Sequence, residues 1–282
     1  CAYDVLGFHT ARDLTAFKTC MQEPIVDAKV TGSNTIEVSG GSLVADVFPI
    51  GVDVGEIQAL SAEANDSKAV RKMVRSLDKR QLIIGVDRLD YSKGLYQRFL
   101  SYERLLEKYP NTQNNITLMQ IAPPTRVGVR AYDEIRWELE QVSGRINGRF
   151  ASSDWVPIRY LNKGISRKPL MGFFRNADVG LVTPVRDGMN LVAKEYVVAQ
   201  DPDDPGMLVL SSLAGAACEL TDAVIVNPYD RDSVADGIAT AITMSLEERR
   251  ERHASMLKIL KKNDITAWRT RFVDALLSRR AS

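Results

Sequence analysis

The sequence predicts an α/β protein with a parallel sheet that is covered by helices on both faces. From about residue 79 onward, short apolar runs typical of buried strands alternate with amphipathic runs that have helical spacing. Such an alternation of strand and helix is typical of βαβ units, which build parallel sheets. With 282 residues, of which 45% are hydrophobic, the chain is long enough for one large domain or two smaller ones.

Each predicted element is defined by its apolar spacing and by the residues that end it. The first helix of the series stops where Pro110 cannot continue it, and the second strand ends at Pro123-Pro124. The predicted strands lie at 81–86, 116–122, 156–160, 179–183, 207–210 and 223–226. The predicted helices between them lie at 95–109, 127–147, 168–176, 191–200, 214–220 and 233–243.

Residues 1–58 have a different pattern, with a helix predicted at 7–21 and strands predicted at 35–39 and 43–49. Two strands and one helix close a core poorly, so we interpret this segment as the C-terminal end of an N-terminal domain. Cys1 is not an initiator residue, and we expect the chain to begin inside that domain.

The second predicted domain spans residues 59–262. Its polar first segment, 59–80, is predicted to connect the two domains, and its last segment, 247–262, is predicted to be a charged helix. The remaining residues, 263–282, contain an amphipathic helix at 265–278 that we expect to pack back onto the N-terminal domain.

Composition excludes several classes of partner and cofactor. The 37 basic and 36 acidic residues give a net charge of +1, so we expect no nucleic-acid partner. Three cysteines without paired spacing and only two histidines predict neither a disulfide framework nor a metal centre. We therefore expect no metal, no cofactor and a reduced, cytoplasmic protein. The sequence leaves the oligomeric state open, and a homo-oligomer is compatible with it.

Several sequence signatures are missing. No apolar run approaches the length of a transmembrane helix and no signal-peptide pattern is present, so we expect no membrane partner. The G-x-x-x-x-G-K-[ST] and G-x-G-x-x-G motifs are absent, which disfavours an NTPase or a standard dehydrogenase. A serine nucleophile elbow is also absent.

The segment from Arg186 to Tyr196 is the most informative part of the chain. It follows a strand-like run and continues into a helix-like run, with Gly188 between them. A helix start binds anions because its first-turn amides are unpaired and its dipole is positive there. We interpret this segment as part of a sugar-nucleotide site.

Two carboxylates flank that helix start. If the helix begins near Asn190, Glu195 lies about 7.5 Å further along the axis. A phosphate at the helix start and a ribose beside Glu195 fit that distance, and Asp187 is placed to accept from sugar hydroxyls. The alternative is that the dipole favours Asp187 and that Glu195 makes a contact within the helix. The sequence leaves both interpretations open.

Two cations follow the first strand of the sheet. Arg88 and Lys93 lie just past its carboxyl end, the edge where open α/β sheets bind ligands. Two fixed cations can stabilise the charge of a departing diphosphate without a metal. The alternative is that Arg88 pairs with Asp87 or Asp90 and that Lys93 is solvated. Arg126 follows Pro123-Pro124 and could reach a second anion, although the sequence alone favours an ordinary loop arginine.

Three runs carry a family resemblance: VDRLDYSKG at 86–94, GRING at 144–148, and the run at 186–200. Together with shorter runs near 201–205, 210–219 and 226–230, they resemble the trehalose-6-phosphate synthases of glycosyltransferase family 20. The resemblance extends from residue 7 to about residue 268 without a gap.

The resemblance implies a two-domain GT-B glycosyltransferase, with a complete C-terminal Rossmann-like domain and the end of the N-terminal one. Such an enzyme moves glucose from UDP-glucose to glucose 6-phosphate with retention of configuration, and it uses no essential metal. The family's N-terminal domain supplies a glycine-rich donor loop and most acceptor contacts, which this sequence lacks. We therefore expect weak UDP binding and no transfer from this chain alone.

The resemblance also implies roles for individual residues. Arg88 and Lys93 are the implied catalytic residues, because they hold the UDP diphosphate, and Glu195 binds the ribose. Arg126 meets the phosphate of glucose 6-phosphate, and the uracil lies near 165–170, which includes Leu170. The remaining implied donor contacts are Asp187, Gly188, Met189, Asn190, Leu191 and Val192. A non-catalytic sugar-nucleotide-binding subunit or a pseudo-glycosyltransferase of the same fold is the alternative.

Overall fold

The computed structural model describes residues 3–39, 41–125 and 129–280. These residues form two compact units. The first unit contains the described residues up to Asp53 and those from Leu260 onward, and the second is Val54–Ile259. The assignment of 1–58, 59–262 and 263–282 to domains of a larger enzyme remains a prediction.

The described residues contain ten strands and ten α-helices. The strands are β1 (Val5–Phe8), β2 (Ala28–Thr31), β3 (Thr35–Val38), β4 (Gly41–Val47), β5 (Gln81–Val86), β6 (Ile116–Ile121), β7 (Ile158–Leu161), β8 (Val179–Val182), β9 (Met207–Ser211) and β10 (Val224–Val226). The helices are α1 (Ala11–Met21), α2 (Val54–Asn65), α3 (Lys68–Leu77), α4 (Leu95–Lys108), α5 (Arg130–Phe150), α6 (Arg167–Arg175), α7 (Leu191–Ala199), α8 (Arg231–Thr243), α9 (Leu246–Lys262) and α10 (Ile265–Arg280).

The first unit contains a four-stranded sheet in the order β1-β4-β3-β2. The predicted helix at 7–21 is wrong at its start, because Val5–Phe8 pair in parallel with β4 and the helix begins only at Ala11. Thr10 caps that helix by accepting the amide of Asp13 at 3.1 Å. The strand β2, which pairs with β3 in an antiparallel hairpin, was not predicted because its four residues have only a weak apolar pattern.

The second unit contains a six-stranded parallel sheet in the order β10-β9-β8-β5-β6-β7. The helix α4 contacts α5 and α8, whereas α2 contacts α6 and α7, so helices form two layers around the sheet. Strands β5, β6, β8 and β9 are almost completely buried, as a doubly covered parallel sheet requires. The predicted α/β class is confirmed.

Two sequence predictions in this unit are wrong. Residues 59–80 do not form a polar connection, because they belong largely to α2 and α3, whose narrow buried stripe includes Ile57 and Val70. Residues 214–220 form only a 3-10 turn, Gly215–Cys218, rather than an α-helix. The amides of Gly215 and Ala216 bind the carbonyls of Asp187 and Met189, which ties this turn to the loop after β8.

The strand order reverses between β5 and β8. The chain continues from β5 to β6 on one side of the sheet, while β8, β9 and β10 lie on the other. The loops that follow two such neighbouring strands diverge to opposite faces and leave a crevice at the carboxyl edge. The segments after β5 and β8 are those that contain the predicted anion-binding residues.

Candidate functional site

The loop after β5 is fixed by local hydrogen bonds. The carboxylate of Asp90 accepts the amide of Ser92 at 2.9 Å and its hydroxyl at 2.8 Å, which turns the chain at Tyr91–Lys93. Gly94 follows with φ of 64°. A β-carbon at Gly94 would lie 2.7 Å from the carbonyl oxygen of Thr183, so both backbone angle and space require glycine.

The same turn is bonded to the loop after β8. The carbonyl oxygen of Ser92 accepts the amides of Val185 at 2.9 Å and Arg186 at 3.2 Å. The two loops that border the crevice therefore form one hydrogen-bonded unit. A displacement of either loop changes the position of the other.

Lys93 and Asp187 meet across these loops. Lys93 Nζ lies 2.5 Å from Asp187 Oδ2, and both side chains are largely buried. Asn190 Nδ2 donates to the same carboxylate oxygen at 2.9 Å. Three of the predicted site residues are thus brought together, but Lys93 is engaged by a carboxylate rather than solvated. An anionic ligand at Lys93 would have to replace Asp187 as its partner.

Arg88 differs from Lys93 because it is exposed and makes no ion pair or hydrogen bond with the residues that the structure describes. The alternative in which Arg88 pairs with Asp87 or Asp90 is wrong. Asp87 is bound instead by the buried guanidinium of Arg98 at 2.6 Å, and Asp90 caps the turn at Ser92. Arg88 is therefore a cation at the crevice that can take an external anion.

The predicted helix after this loop is confirmed as α7, which begins at Leu191. Asn190 is its N-cap, and the side-chain oxygen accepts the amide of Ala193 at 3.0 Å. The positive φ of this loop falls on Asn190, at 78°, where we had expected Gly188 to provide the flexibility. A non-glycine residue with this backbone angle is uncommon and stores strain, a feature that clusters at functional sites.

The other predicted donor residues differ in exposure. Gly188 and Leu191 are exposed and Val192 is half-buried, whereas the side chain of Met189 is buried in the core. The first-turn amides of Leu191 and Val192 lie at the positive end of α7. Met189 can therefore contact a ligand through its backbone only, which is how the family resemblance places part of these contacts.

Glu195 lies in the second turn of α7, and its side chain is 17% exposed. Burial raises the pKa of Glu195, while the guanidinium of Arg167, 3.4 Å away, opposes that shift. Arg167 also pairs with Glu56 at 3.1 Å. Arg167 begins α6, the helix that contains the half-buried Leu170. Glu195 and the predicted uracil segment are therefore adjacent.

Sequence reasoning missed two arginines at this site, Arg98 and Arg167. Arg98 carried a detectable signal, because it lies three residues after Leu95 and four before Tyr102, on the buried stripe of α4. A cation on a core stripe indicates a buried partner. Arg167 gave no comparable signal, since exposed arginines at helix starts are common. Arg126 lies outside the described residues.

A second concavity lies at the opposite, amino edge of the sheet. Its volume is about 280 Å³, and charged residues line much of it. Its arginines are already paired, Arg175 with Asp201 at 2.6 Å and Arg249 with Asp204 at 2.9 Å. This edge consequently offers a ligand no unpaired cation among these residues, and we do not assign the site to it.

Two absences hold for the described part of the chain. No group of three or more His, Cys, Asp and Glu side chains there could hold a metal ion. None of the helices there combines the length and the apolar composition that a membrane crossing requires.

Known proteins resemble this chain in sequence and in fold. The trehalose-6-phosphate synthase of Klebsiella pneumoniae subsp. pneumoniae is 51% identical over 278 residues, which is 98% of this chain and 58% of that protein. The UDP-forming alpha,alpha-trehalose-phosphate synthase of Burkholderia xenovorans, solved in complex with glucose-6-phosphate, superposes with a TM-score of 0.96 at 50% identity. That match covers 98% of this chain and 61% of the Burkholderia chain.

An Escherichia coli structure bound with UDP-2-fluoro glucose superposes with a TM-score of 0.94 at 50% identity, over 97% of this chain and 60% of that one. The chain thus spans about three fifths of the length of these relatives, and over that part the predicted GT-B α/β fold is confirmed. The model of the family described as Glycosyltransferase family 20 matches residues 1–278. The chain belongs to glycosyltransferase family 20.

Proposed function

We propose that this chain provides the donor site of a retaining glucosyltransferase that moves glucose from UDP-glucose to glucose 6-phosphate, yielding trehalose 6-phosphate and UDP. The observation that carries the proposal is Arg88, an exposed cation without an internal partner among the described residues, beside Lys93 at the switch point of the sheet. The relatives solved with glucose-6-phosphate and with UDP-2-fluoro glucose support the choice of substrates.

The diphosphate of the donor binds Arg88 directly. Lys93 exchanges its carboxylate partner, Asp187, for a phosphate oxygen, and the released Asp187 then accepts hydrogen bonds from the donor glucose. The exposed amides at the start of α7, from Leu191 and Val192, add the positive end of the helix dipole. Before this exchange, Lys93 Nζ and Asp187 Oδ2 are 2.5 Å apart.

The rest of the donor is held by neighbouring groups. Glu195 accepts hydrogen bonds from the ribose hydroxyls, with Arg167 keeping its carboxylate oriented. The segment 165–170, which ends at Leu170, contacts the uracil through its backbone. Gly188 has no side chain to obstruct the sugar, and Met189 and Asn190 contribute backbone and amide contacts. Arg126 binds the phosphate of the acceptor.

The chemical step is an exchange at the anomeric carbon. The bond from this carbon to the β-phosphate oxygen breaks, and the acceptor hydroxyl oxygen bonds to the carbon from the same face. The acceptor proton passes to the leaving phosphate oxygen, so that no side-chain nucleophile is required. Arg88 and Lys93 stabilise the negative charge that develops on the departing diphosphate, an effect that is stronger in a partly dehydrated crevice.

Calorimetry with UDP tests the donor assignment. We expect Arg88→Ala to lower the affinity of the chain for UDP by about tenfold or more, because a charge-assisted contact is lost. Arg175→Ala is the matched control, since it removes an arginine at the end of α6, at the amino edge of the sheet, and it should leave UDP affinity unchanged. Equal affinity of the unaltered chain and Arg88→Ala would refute the donor assignment.

A product assay tests the reaction. The protein that contains this chain should form trehalose 6-phosphate from UDP-glucose and glucose 6-phosphate, with one UDP released per product. If it binds UDP and yields no trehalose 6-phosphate, the non-catalytic alternative replaces the transferase.

A further inference from the structure

A buried charged cluster lies directly beneath the loops of the donor site. Arg98, on α4, has a fully buried guanidinium. Its Nη1 donates to Asp87 Oδ2 at 2.6 Å and to Gln120 Oε1 at 2.8 Å. Its Nε donates to Thr183 Oγ1 at 3.0 Å, and its Nη2 donates to the carbonyl oxygen of Lys93 at 3.5 Å.

The four acceptors belong to four different segments of the carboxyl edge. Asp87 follows β5, Gln120 lies in β6, Thr183 follows β8, and Lys93 lies in the turn before α4. The planar guanidinium has donors in a fixed fork, so its four contacts define the relative positions of these segments. A single side chain thus connects both loops that border the crevice.

The surrounding sequence makes room for this cluster. Gly85 lies in the centre of the sheet, where glycine is unfavourable in a strand. A β-carbon at Gly85 would overlap Gln120 Oε1 and would lie 2.8 Å from Arg98 Nη1. Glycine at position 85 therefore leaves the space in which Arg98 and Gln120 meet, although glycine weakens the strand.

Stability is a weak explanation for such a cluster. Desolvation of two charges commonly cancels their attraction, so that apolar residues of similar volume stabilise a core equally well. Burial raises the pKa of Asp87, and the Arg98 guanidinium opposes this shift. What apolar residues could not supply is the set of directed bonds to both loops.

We propose that Arg98 is a positioning residue of the donor site, which holds the turn of Lys93 and the loop after Thr183 in the spacing that a nucleoside diphosphate requires. This inference rests on the proposed function, because it assigns a role to Arg98 in the binding of the donor. Arg98 itself is buried and touches no substrate.

The test measures UDP affinity in the whole chain, well below the unfolding temperature. Arg98→Lys keeps a cation beside Asp87 but cannot reach all four acceptors, and we expect UDP affinity to fall about tenfold. Thr183→Val removes a single acceptor, keeps the ion pair and should fold, with a loss of UDP affinity of about threefold.

Asp178→Ala is the matched control for stability. The carboxylate of Asp178 accepts the amide of Leu82 at 2.7 Å, at the amino end of the same strand, β5. Its removal leaves that amide without its partner and lowers the unfolding temperature. We expect unchanged UDP affinity, because neither crevice loop is involved.

The outcomes separate the two proposals. If the unaltered chain binds UDP and Arg88→Ala weakens it, while Arg98→Lys and Thr183→Val both bind as tightly as the unaltered chain, the positioning role of Arg98 is wrong and the donor site stands. If Asp178→Ala weakens UDP binding as much as Thr183→Val, the effect is one of general stability and the inference is again wrong. If the unaltered chain does not bind UDP, the proposed function itself fails.

Discussion

The two edges of the six-stranded sheet have similar charged residues but use them differently. At the amino edge, Arg175 and Arg249 are each held by an aspartate, at 2.6 and 2.9 Å. At the carboxyl edge, Lys93 is paired with Asp187, whereas Arg88 has no such partner within the described residues. The difference shows that the number of charges at an edge does not identify a site. At the carboxyl edge the unmatched cation also lies near helix starts, and it is this combination that favours an anion.

The direction of the strands explains the difference. In a sheet of βαβ units, helices begin at the carboxyl edge and end at the amino edge, so that positive dipole ends gather at one edge. The helices α4, α6 and α7 all begin after strands of this sheet. Together with Arg88, they make the carboxyl edge favourable for an anion, while Arg175 and Arg249 at the amino edge are neutralised by aspartates.

The largest expected effect concerns packing, which is tight at both edges. We expect Gly206→Ala, at the amino edge, and Gly85→Ala, at the carboxyl edge, to lower the free energy of unfolding by about 3 kcal/mol each. A β-carbon at Gly206 would overlap the carbonyl oxygen of Ala177 and the hydroxyl of Tyr196, and one at Gly85 would overlap Gln120. Denaturant unfolding measures the loss.

Gly164→Ala is the control for these two variants, because its β-carbon would meet its nearest neighbour, Pro123, only at 3.9 Å. Unfolding free energies of Gly85→Ala and Gly164→Ala that agree would contradict the close packing around Arg98.

The next effect concerns UDP binding, and it compares a cation of the carboxyl edge with a cation of the amino edge. Lys93→Ala should weaken UDP binding by about 30-fold, because a charge-assisted contact contributes roughly 2 kcal/mol. Arg249→Ala removes a paired arginine of the amino edge and should leave UDP affinity within about twofold. Calorimetry on both variants measures the contrast. If Arg249→Ala weakened UDP binding more than Lys93→Ala does, the nucleotide would bind at the amino edge and the proposed donor site would be wrong.

Backbone strain allows a third comparison. Asn190, at the carboxyl edge, and Asn114, in the turn before β6, have φ of 78° and 62°. Asn190→Ala removes the N-cap of α7 and puts alanine at a backbone angle that asparagine tolerates better. We therefore expect the free energy of unfolding to fall by about 2 kcal/mol. Asn114 is exposed and caps no helix, so we expect Asn114→Ala to lower the free energy of unfolding by only about 1 kcal/mol. Thermal and denaturant unfolding give both values.

Glycine variants sharpen this comparison. Asn190→Gly and Asn114→Gly keep the positive angle without strain, so each should recover part of the stability that its alanine variant loses. If alanine and glycine at 190 were equally stable, the strain assigned to Asn190 would be absent.

The smallest effect concerns pH and two buried carboxyls. Burial raises the pKa of Glu195 at the carboxyl edge and of Asp178 at the amino edge. Each group then holds its proton more readily in the folded than in the unfolded chain, so its contribution to stability falls as pH rises past its ordinary pKa. Glu195→Gln and Asp178→Asn should both remove part of this loss, which unfolding measured from below the ordinary pKa of each group up to neutral pH would show.

Only Glu195 should affect the ligand. UDP affinity of the unaltered chain should decrease as pH falls through the raised pKa of Glu195, because a protonated carboxyl accepts hydrogen bonds from the ribose less well. Glu195→Gln should bind about threefold more weakly at neutral pH and lack this component. Dividing the UDP affinity of the unaltered chain by that of Glu195→Gln at each pH removes the contribution that comes from the titration of UDP itself. A constant ratio across pH would contradict the role of Glu195.

The carboxyl-edge site could be predicted only in part. The sequence identified Asp187 and the helix start near Asn190, because a strand followed by a glycine loop and an apolar helical run is a local pattern, and it identified Lys93 because that residue follows the carboxyl end of a strand. That the side chains of these three residues bind one another could not be predicted, since Lys93 and Asp187 are 94 residues apart in the chain. The residues 59–80 were misread because α2 and α3 bury only a few positions each, so the segment gives only a weak apolar signal.

The sequence by itself determined the α/β class, the alternation of strands and helices and the two segments that border the crevice, because these follow from short-range periodicity and turn chemistry. Tertiary structure alone decided which cations are neutralised. It paired Asp87 with Arg98 and left Arg88 without a partner among the described residues, since ion pairs depend on which strand ends become neighbours. That proximity is set by the strand order of the sheet, which no local pattern encodes.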